Sequence, residues 1–298
     1  MQYPFTTVDV FTTRRFGGNP LAVVLEADTL DDTEMQAIAR EFNYSETTFV
    51  MRPVDERHTA KVRIFTPACE VPFAGHPNVG TAHVLATRAG ARERPEGFVF
   101  EEEAGLVPVS IGWDGDRVRI AELTAPVSLS TGSRFDAEAV AAGLSLDAAA
   151  IRVDCHPPLI VSVGLPFLVV EIASRAALAA AKVDIGALSR LLPAEGADAI
   201  YLYCRELRED DGDVDFTARM FAPWDGVAED PATGSATGAA CSLVASLSPQ
   251  PQSPRRFSVA QGVDMKRPSR LEIRTGEPDG RVRIGGSCVP VLSGFIEV

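Results

Sequence analysis

Positive charge is scarce in this 298-residue chain, with 28 Lys and Arg against 41 Asp and Glu and a net charge of −13. Nucleic acids and anionic membranes are bound through basic patches, so neither is expected as a partner. A small anionic ligand stays open, because the field inside one pocket can oppose the field of the whole molecule. The opening MQYPFTTVDVF has no basic leader and no apolar run. No signal peptide is expected, and the cytoplasm is the expected compartment. Long apolar runs are also missing. The most apolar stretch, PLIVSVGLPFLVVEIA (158–173), is broken by Gly164 and Pro166 and reads as two buried strands, not a membrane span. The five cysteines (Cys69, Cys155, Cys204, Cys241 and Cys288) are odd in number and contain no CxxC pair. They are expected to be reduced and mostly buried. Four histidines, His58, His76, His83 and His156, fall into no zinc spacing with them, so no metal site is expected.

Hydrophobic residues make up 46% of the chain and charged residues 23%, an ordinary soluble composition with enough apolar mass for two domains. Strand-like and helix-like runs alternate. VDVF (8–11) and AVVL (22–25) read as strands joined through Gly17-Gly18-Asn19-Pro20. Asp31 with Glu34 resembles a capping box. Met35, Ile38, Ala39 and Phe42 share one helical face, and the helix is expected to end near Asn43. TTFVM (47–51) and KVRIF (61–65) are strands, and a helix follows Pro77 to about residue 88. FVFEEE, VPVSI and RVRIAE close the first half as strands. The second half repeats this grammar, with helices expected at 136–143, at 174–192 and from residue 230 to about 244.

Two segments carry the same pattern. RIFTPACEVPFAGHPNVGTA (63–82) and RMFAPWDGVAEDPATGSA (219–236) both read R-x-F-x-P, then His or Asp, Pro, two residues, Gly, a small hydroxyl residue and Ala. Arg63 matches Arg219, Phe65 matches Phe221, His76 matches Asp230, Gly80 matches Gly234 and Thr81 matches Ser235. The spacing differs by two residues between the blocks. DGDRVRI (114–120) is echoed by DGRVRI in the same order. Such a repeat predicts two similar domains, 1–125 and 126–298, each a sheet wrapped around a helix that begins at His-Pro or Asp-Pro. The alternative is that the last strand crosses back to the first domain. Pseudo-twofold symmetry would set the two helix starts face to face across a cleft, and such clefts favour ligands.

In each turn the proline suits the first helical position, where its missing N–H leaves nothing unpaired. His76 and Asp230 then take the N-cap, and the small residues beyond let a ligand approach the helix N–H groups, which bind carboxylates and phosphates. Blander readings stand beside these: Asp230 as an ordinary cap, His76 as a turn residue, Ser235 as a helix hydroxyl. Glu46, between Ser45 and Thr47 directly before a strand, is a third candidate, though taken alone it reads as a solvated loop carboxylate. A racemase working with two opposed thiolates is disfavoured, because the matched positions hold His76 and Asp230 and Cys241 lies well inside its helix.

Together, GNPLAVV (18–24), SETTFV (45–50), RIFTP with E-V-P-F-A-G-H-P (63–77) and EDPATGSA (229–236) resemble the phenazine-biosynthesis PhzF family, and the likeness spans nearly the whole chain. The resemblance implies a diaminopimelate-epimerase-like α/β (α+β) fold of two pseudo-symmetric domains, each a curved, mostly antiparallel sheet around a central helix, and it implies a homodimer. It also implies cofactor-independent isomerisation of a small unsaturated cyclic acid, with or without an amino group, such as trans-2,3-dihydro-3-hydroxyanthranilate. In that reading Glu46 carries a proton between ring carbons and the product tautomerises to a ketone. His76 and Asp230 hold the substrate and assist, while Ser45, Gly75, Gly234 and Ser235 line the site. Asn78, Val79 and Thr237 vary beside the motifs, where substrate shape is set. The family name leaves two other functions open, tautomerisation coupled to C–C cleavage and binding of a small acid without turnover.

Overall fold

The computed structural model describes residues 1–298, the side chain of Asp210 excepted. Two compact units make up the chain, Met1–Thr124 with Gly285–Val298, and Ala125–Ile284.

In unit 1, β1 (Gln2–Val10) turns back into β2 (Asn19–Val24), and α1 (Asp32–Phe42) leads to β3 (Glu46–Met51). The sequence sets both ends of α1. The Asp31 carboxylate accepts from Glu34 N–H at 2.8 Å while Glu34 Oε2 accepts from Asp31 N–H at 2.9 Å. Asn43 closes the helix at φ 52°, a left-handed position that asparagine tolerates. Met35, Ile38 and Ala39 pack under α1 against Tyr3, Val24, Phe49 and Phe65. The chain continues through β4 (Ala60–Phe65), β5 (Glu70–Val71), α2 (Gly75–Glu93), β6 (Gly97–Glu102), β7 (Gly105–Asp114) and β8 (Arg117–Thr124). β2 and β3 pair in parallel, as do β4 and β6; β1–β2, β3–β4, β4–β5, β6–β7 and β7–β8 are antiparallel. The sheet curves so that β1, β2, β3, β7 and β8 all reach α2. At Gly80 a methyl group would lie 2.5 Å from Leu21 Cδ2 and 2.8 Å from Val10 Cγ2, so glycine is what lets the helix sit that deep.

Unit 2 runs through β9 (Ser130–Arg134), α3 (Ala137–Gly143), β10 (Ile151–Arg152), β11 (Leu159–Ser162) and β12 (Pro166–Ile172). Next come α4 (Arg175–Ala180), α5 (Ile185–Leu188), β13 (Ile200–Cys204), β14 (Phe216–Ala222), β15 (Val227–Asp230) and α6 (Gly234–Ser246). The unit closes with β16 (Arg255–Gln261), β17 (Ser269–Thr275) and β18 (Arg283–Gly286), in which the boundary falls. Its ladders follow those of unit 1: β12 and β13 are parallel, β13–β14 and β14–β15 antiparallel, β14 and β16 parallel, β16–β17 antiparallel. The helix after β15 corresponds to the helix after β5, so α6 is to unit 2 what α2 is to unit 1. It packs on β11, β12, β16 and β17. The single helix expected over 174–192 is two short ones. Lys182 and Asp184 N–H groups turn aside to the carbonyls of Leu144 and Gly143 at 2.9 Å, and Asp184 then caps α5. These helices and α3 cover a core of Val140, Leu144, Leu168, Val170, Leu178, Leu188 and Leu202.

The last strand, β19 (Cys288–Glu297), belongs to unit 1, where it pairs antiparallel with β1 from Gln2↔Glu297 to Val10↔Cys288 with an irregularity between Thr7 and Val8. Among the described residues no helix is long and apolar enough to cross a membrane.

Candidate active site

Both central helices start at other residues than the sequence pattern predicts. α2 begins at Gly75, with Ala74 at its N-cap, so His76 is the second helical residue and not the cap. Pro77 fits there as well as at the first position, because the first four N–H groups of a helix have no partner within it. α6 begins at Gly234 with Thr233 at its N-cap. Asp230 is the last residue of β15, and Pro231 precedes the helix without starting it. In neither helix does the N-cap side chain bond the first turn.

Unit 1 brings Ser45, Glu46, Gly75 and His76 together. Glu46 opens β3, in parallel register with Leu21 of β2. The His76 Nε2 lies 3.3 Å from Glu46 Oε2, with side chains 7% and 19% exposed. Behind the ring, Asn19 Nδ2 stands 3.4 Å from His76 Nδ1, and Asn19 Oδ1 accepts from Ser45 Oγ at 3.2 Å. An amide that receives a hydroxyl proton on oxygen presents its N–H₂ to the ring. His76 Nδ1 therefore accepts, and its proton sits on Nε2, facing the carboxylate. Burial lowers the His76 pKa to about 3, so the ring is neutral at ordinary pH. A methyl group at Gly75 would meet nothing nearer than Leu123 Cδ2 at 3.9 Å, so packing within the unit does not demand glycine there. Asn19 escaped the sequence reading as a site residue. The signal open to the sequence was an amide residue at the head of the apolar run PLAVV, and the structure buries it wholly.

Unit 2 holds Asp230, Gly234 and Ser235. Asp230 is 9% exposed. Its carboxylate accepts a short hydrogen bond from Thr233 Oγ1, and its carbonyl accepts from Gln261 Nε2 at 2.8 Å. Gln261 also takes the Thr233 N–H at 3.2 Å, which ties β16 to the turn between β15 and α6. Gly234 is buried at the first position of α6. Ser235 at the second is half-buried, and its hydroxyl makes no hydrogen bond among the described residues. Glu229 faces away into a two-bond fork with Arg219, at 2.7 and 2.8 Å.

Other ionisable groups are buried nearby in the same units. Glu102, at the end of β6, has no hydrogen-bond partner on either oxygen, and burial raises its pKa to about 8 against a smaller pull from the Asn78 amide. It lines a cavity of about 470 Å³ with Lys61, Arg63, Glu70, Val71 and Pro72. His83, further along α2, is held neutral by burial with its pKa lowered to about 4. Cys241 sits inside α6, where burial drives its thiol pKa well up, and Cys288 is raised to about 12. Neither is a ready nucleophile or proton carrier. Among the described residues no three His, Cys, Asp or Glu side chains group as metal ligands.

Residues 8–294 match the family model described as phenazine biosynthesis-like protein. The chain is 39% identical over 297 residues to an uncharacterised isomerase of Mesorhizobium japonicum, with 96% of each covered. It is 35% identical over 296 residues to the trans-2,3-dihydro-3-hydroxyanthranilate isomerase of Pseudomonas chlororaphis, with 98% of each covered. The crystal structure of a PhzF-family phenazine biosynthesis protein of Bacillus anthracis superposes with a TM-score of 0.87 over the whole of both chains at 24% identity, a likeness of fold.

Proposed function

The chain belongs to the phenazine biosynthesis-like PhzF family and is an isomerase, and from that premise we propose that it moves a proton between two carbons of a small unsaturated cyclic amino acid without a cofactor. The observation that carries this reading is the run of contacts from Ser45 through Asn19 and His76 to Glu46. It ends on a carboxylate that has a neutral N–H donor beside it and little water around it. A proton on carbon is weakly acidic, so its base must be close and poorly solvated.

Glu46 takes the proton from a saturated ring carbon. The C–H electron pair moves into the adjoining conjugated system, and the same carboxyl group returns the proton to a distant carbon of that system. The resulting enol then tautomerises to a ketone. His76 stands with Nε2–H 3.3 Å from Glu46 Oε2, outside hydrogen-bond geometry in the resting chain, turns onto the carboxylate to orient it while it is ionised, and gives way when it is protonated. Asn19 and Ser45 keep the ring in that tautomer. Asp230 binds a polar group of the substrate and shares the proton traffic at its oxygen or amine. Ser235 and the uncapped first turn of α6, at Gly234, take the substrate carboxylate, as helix N-termini do. Gly75 leaves room for the ring against the first turn of α2.

The substrate we test first is trans-2,3-dihydro-3-hydroxyanthranilate, the compound named for the Pseudomonas chlororaphis relative. The same family reading carries a cytoplasmic homodimer in phenazine-type secondary metabolism. Turnover followed by proton NMR in D₂O should place deuterium at the receiving carbon. Glu46→Gln should lose turnover by a factor of about 10³ or more and keep ligand binding, in line with loss of a positioned acid–base group. Full activity in Glu46→Gln would sink the assignment.

A further inference from the structure

Arg63 and Arg219 are matched by the internal repeat, yet neither has a part in the proton transfer. Each is used in the same way. Arg219 of β14 forks onto Glu229 of β15, and its Nη1 donates to the carbonyls of Leu178, Ala179 and Ala181 at the end of α4, at 2.9, 3.2 and 2.9 Å. The guanidinium lies over the Phe221 ring, 4.8 Å from its centre. Arg63 of β4 forks onto Glu70 of β5 at 2.7 and 2.6 Å, reaches Asp32 in the first turn of α1 at 2.6 Å, and lies over Phe65 at 5.1 Å. The two glutamates are not repeat partners, since the spacing from arginine to glutamate differs between the blocks. What they share is position in the fold. Both sit on the short strand that feeds the central helix of their unit. A fork rebuilt from non-matching residues points to a demand made by that strand.

Resting on the reading of Asp230 as a catalytic residue, we propose that Arg219 and Glu229 are positioning residues for Asp230. β15 is short and its ladder to β14 is irregular, with Met220↔Asp230 and Ala222↔Val227 its two pairings. Such a ladder specifies register weakly. Successive side chains on a strand point to opposite faces, so fixing Glu229 on one face turns Asp230 to the other. Glu229 and Arg219 are 16% and 11% exposed, and a planar two-bond fork on a shielded pair restricts direction as well as distance. Thr233 and Gln261 then hold the carboxylate and the carbonyl of Asp230 from the opposite side. Lysine at 219 would keep the charge but could not bond both glutamate oxygens and the α4 carbonyls together.

The test compares Glu229→Gln, Arg219→Lys, Asp230→Asn and Val140→Ala, the last trimming the core of the same unit at a side chain that bonds neither Arg219 nor Glu229. Two readouts are taken: kcat and KM on trans-2,3-dihydro-3-hydroxyanthranilate, and the carboxyl ¹³C resonance of Asp230, assigned by its loss in Asp230→Asn. Glu229→Gln and Arg219→Lys should each lower kcat tenfold or more with KM within threefold, and should shift and broaden the Asp230 resonance. Val140→Ala should lower Tm and leave both readouts as in the wild type. A wild-type resonance and wild-type kcat in both fork variants would overturn the proposal. Full activity in Asp230→Asn would overturn the catalytic reading of Asp230 instead, while the resonance still reports on the fork and needs no turnover. Should Glu229→Gln fail to fold, Arg219→Lys decides between these outcomes by itself.

Discussion

Replacing Glu102 by glutamine should make unit 1 more stable at pH 8 and leave it nearly unchanged at pH 4.5. The folded chain holds the Glu102 proton with a pKa of about 8, against an ordinary value of 4.5. Between those values the unfolded chain has released a proton that the folded chain keeps. Stability therefore falls as pH rises from about 4.5 to about 8, then levels off. At 1.36 kcal/mol for each pKa unit, the full difference is about 5 kcal/mol. Screening through the mouth of the cavity, with Lys61 and Arg63 on its wall and Glu70, Glu101 and Glu103 opposing them, reduces this to roughly 3 kcal/mol. Glutamine has the same shape and carries no charge to desolvate, so the loss disappears. The chain has two tryptophans, Trp113 in unit 1 and Trp224 in unit 2. A Trp224→Phe background makes fluorescence a reporter of unit 1 alone, through an indole that donates to Pro95 O at 3.0 Å. Urea unfolding at intervals from pH 4.5 to 9 then gives the difference curve. A difference that stays flat within about 0.5 kcal/mol would refute the reasoning, because it would mean that Glu102 ionises as it does in water.

Three further outcomes follow from α2. The His76 pKa is lowered to about 3 by burial, so nitrogen-15 NMR should find a neutral Nε2–H ring throughout pH 5–8; a cationic ring at pH 6 would contradict the Asn19 contact. The unfolded chain takes up a proton there below about pH 6.5 while the folded chain does not, so stability should fall as pH drops from 6.5 towards 3, and His76→Asn should make that slope shallower, leaving the part that His83 contributes between 6.5 and about 4. Gly80→Ala would press a methyl group against Leu21 and Val10 at 2.5 and 2.8 Å and should cost about 1–3 kcal/mol in a chemical-denaturation measurement. The same change displaces the first turn that carries His76, so kcat should drop more than KM rises; unchanged stability would show that α2 has slack the packing does not suggest.

Features that rest on local chemistry could be read from the sequence. Asp31, Glu34 and Asn43 bound α1 because caps and left-handed turns are made by neighbouring residues. The repeat foretold matched ladders because the same strand and turn patterns recur in order. What depends on distant partners was hidden. The break at Lys182–Asp184 depends on carbonyls of α3, from another part of the chain. Asp230 looked like a cap because Asp-Pro commonly starts a helix; its true hold comes from Thr233 and Gln261. Glu46 and His76 were visible as motif residues, but their approach to 3.3 Å and the Asn19 amide behind it are products of β2, β3 and α2 meeting. Glu229 pairs with Arg219, ten residues earlier, a partner that only the β14–β15 ladder brings near.

The pairing of β1 with β19 imposes an order of maturation on the ribosome. β1 is made first, but its partner is made only after residues 125–284, which form unit 2 without a break. Unit 2 can close while it is emerging. Unit 1 waits with one flank of β1 unpaired and with Tyr3 lacking Ile296, its packing neighbour. An unpaired strand flank is a place where chains stick to one another. The N-terminal unit is therefore the last to be finished, and damage to residues 285–298 would be felt at the opposite end of the sequence, in the unit whose sheet carries Glu46 and whose helix carries His76.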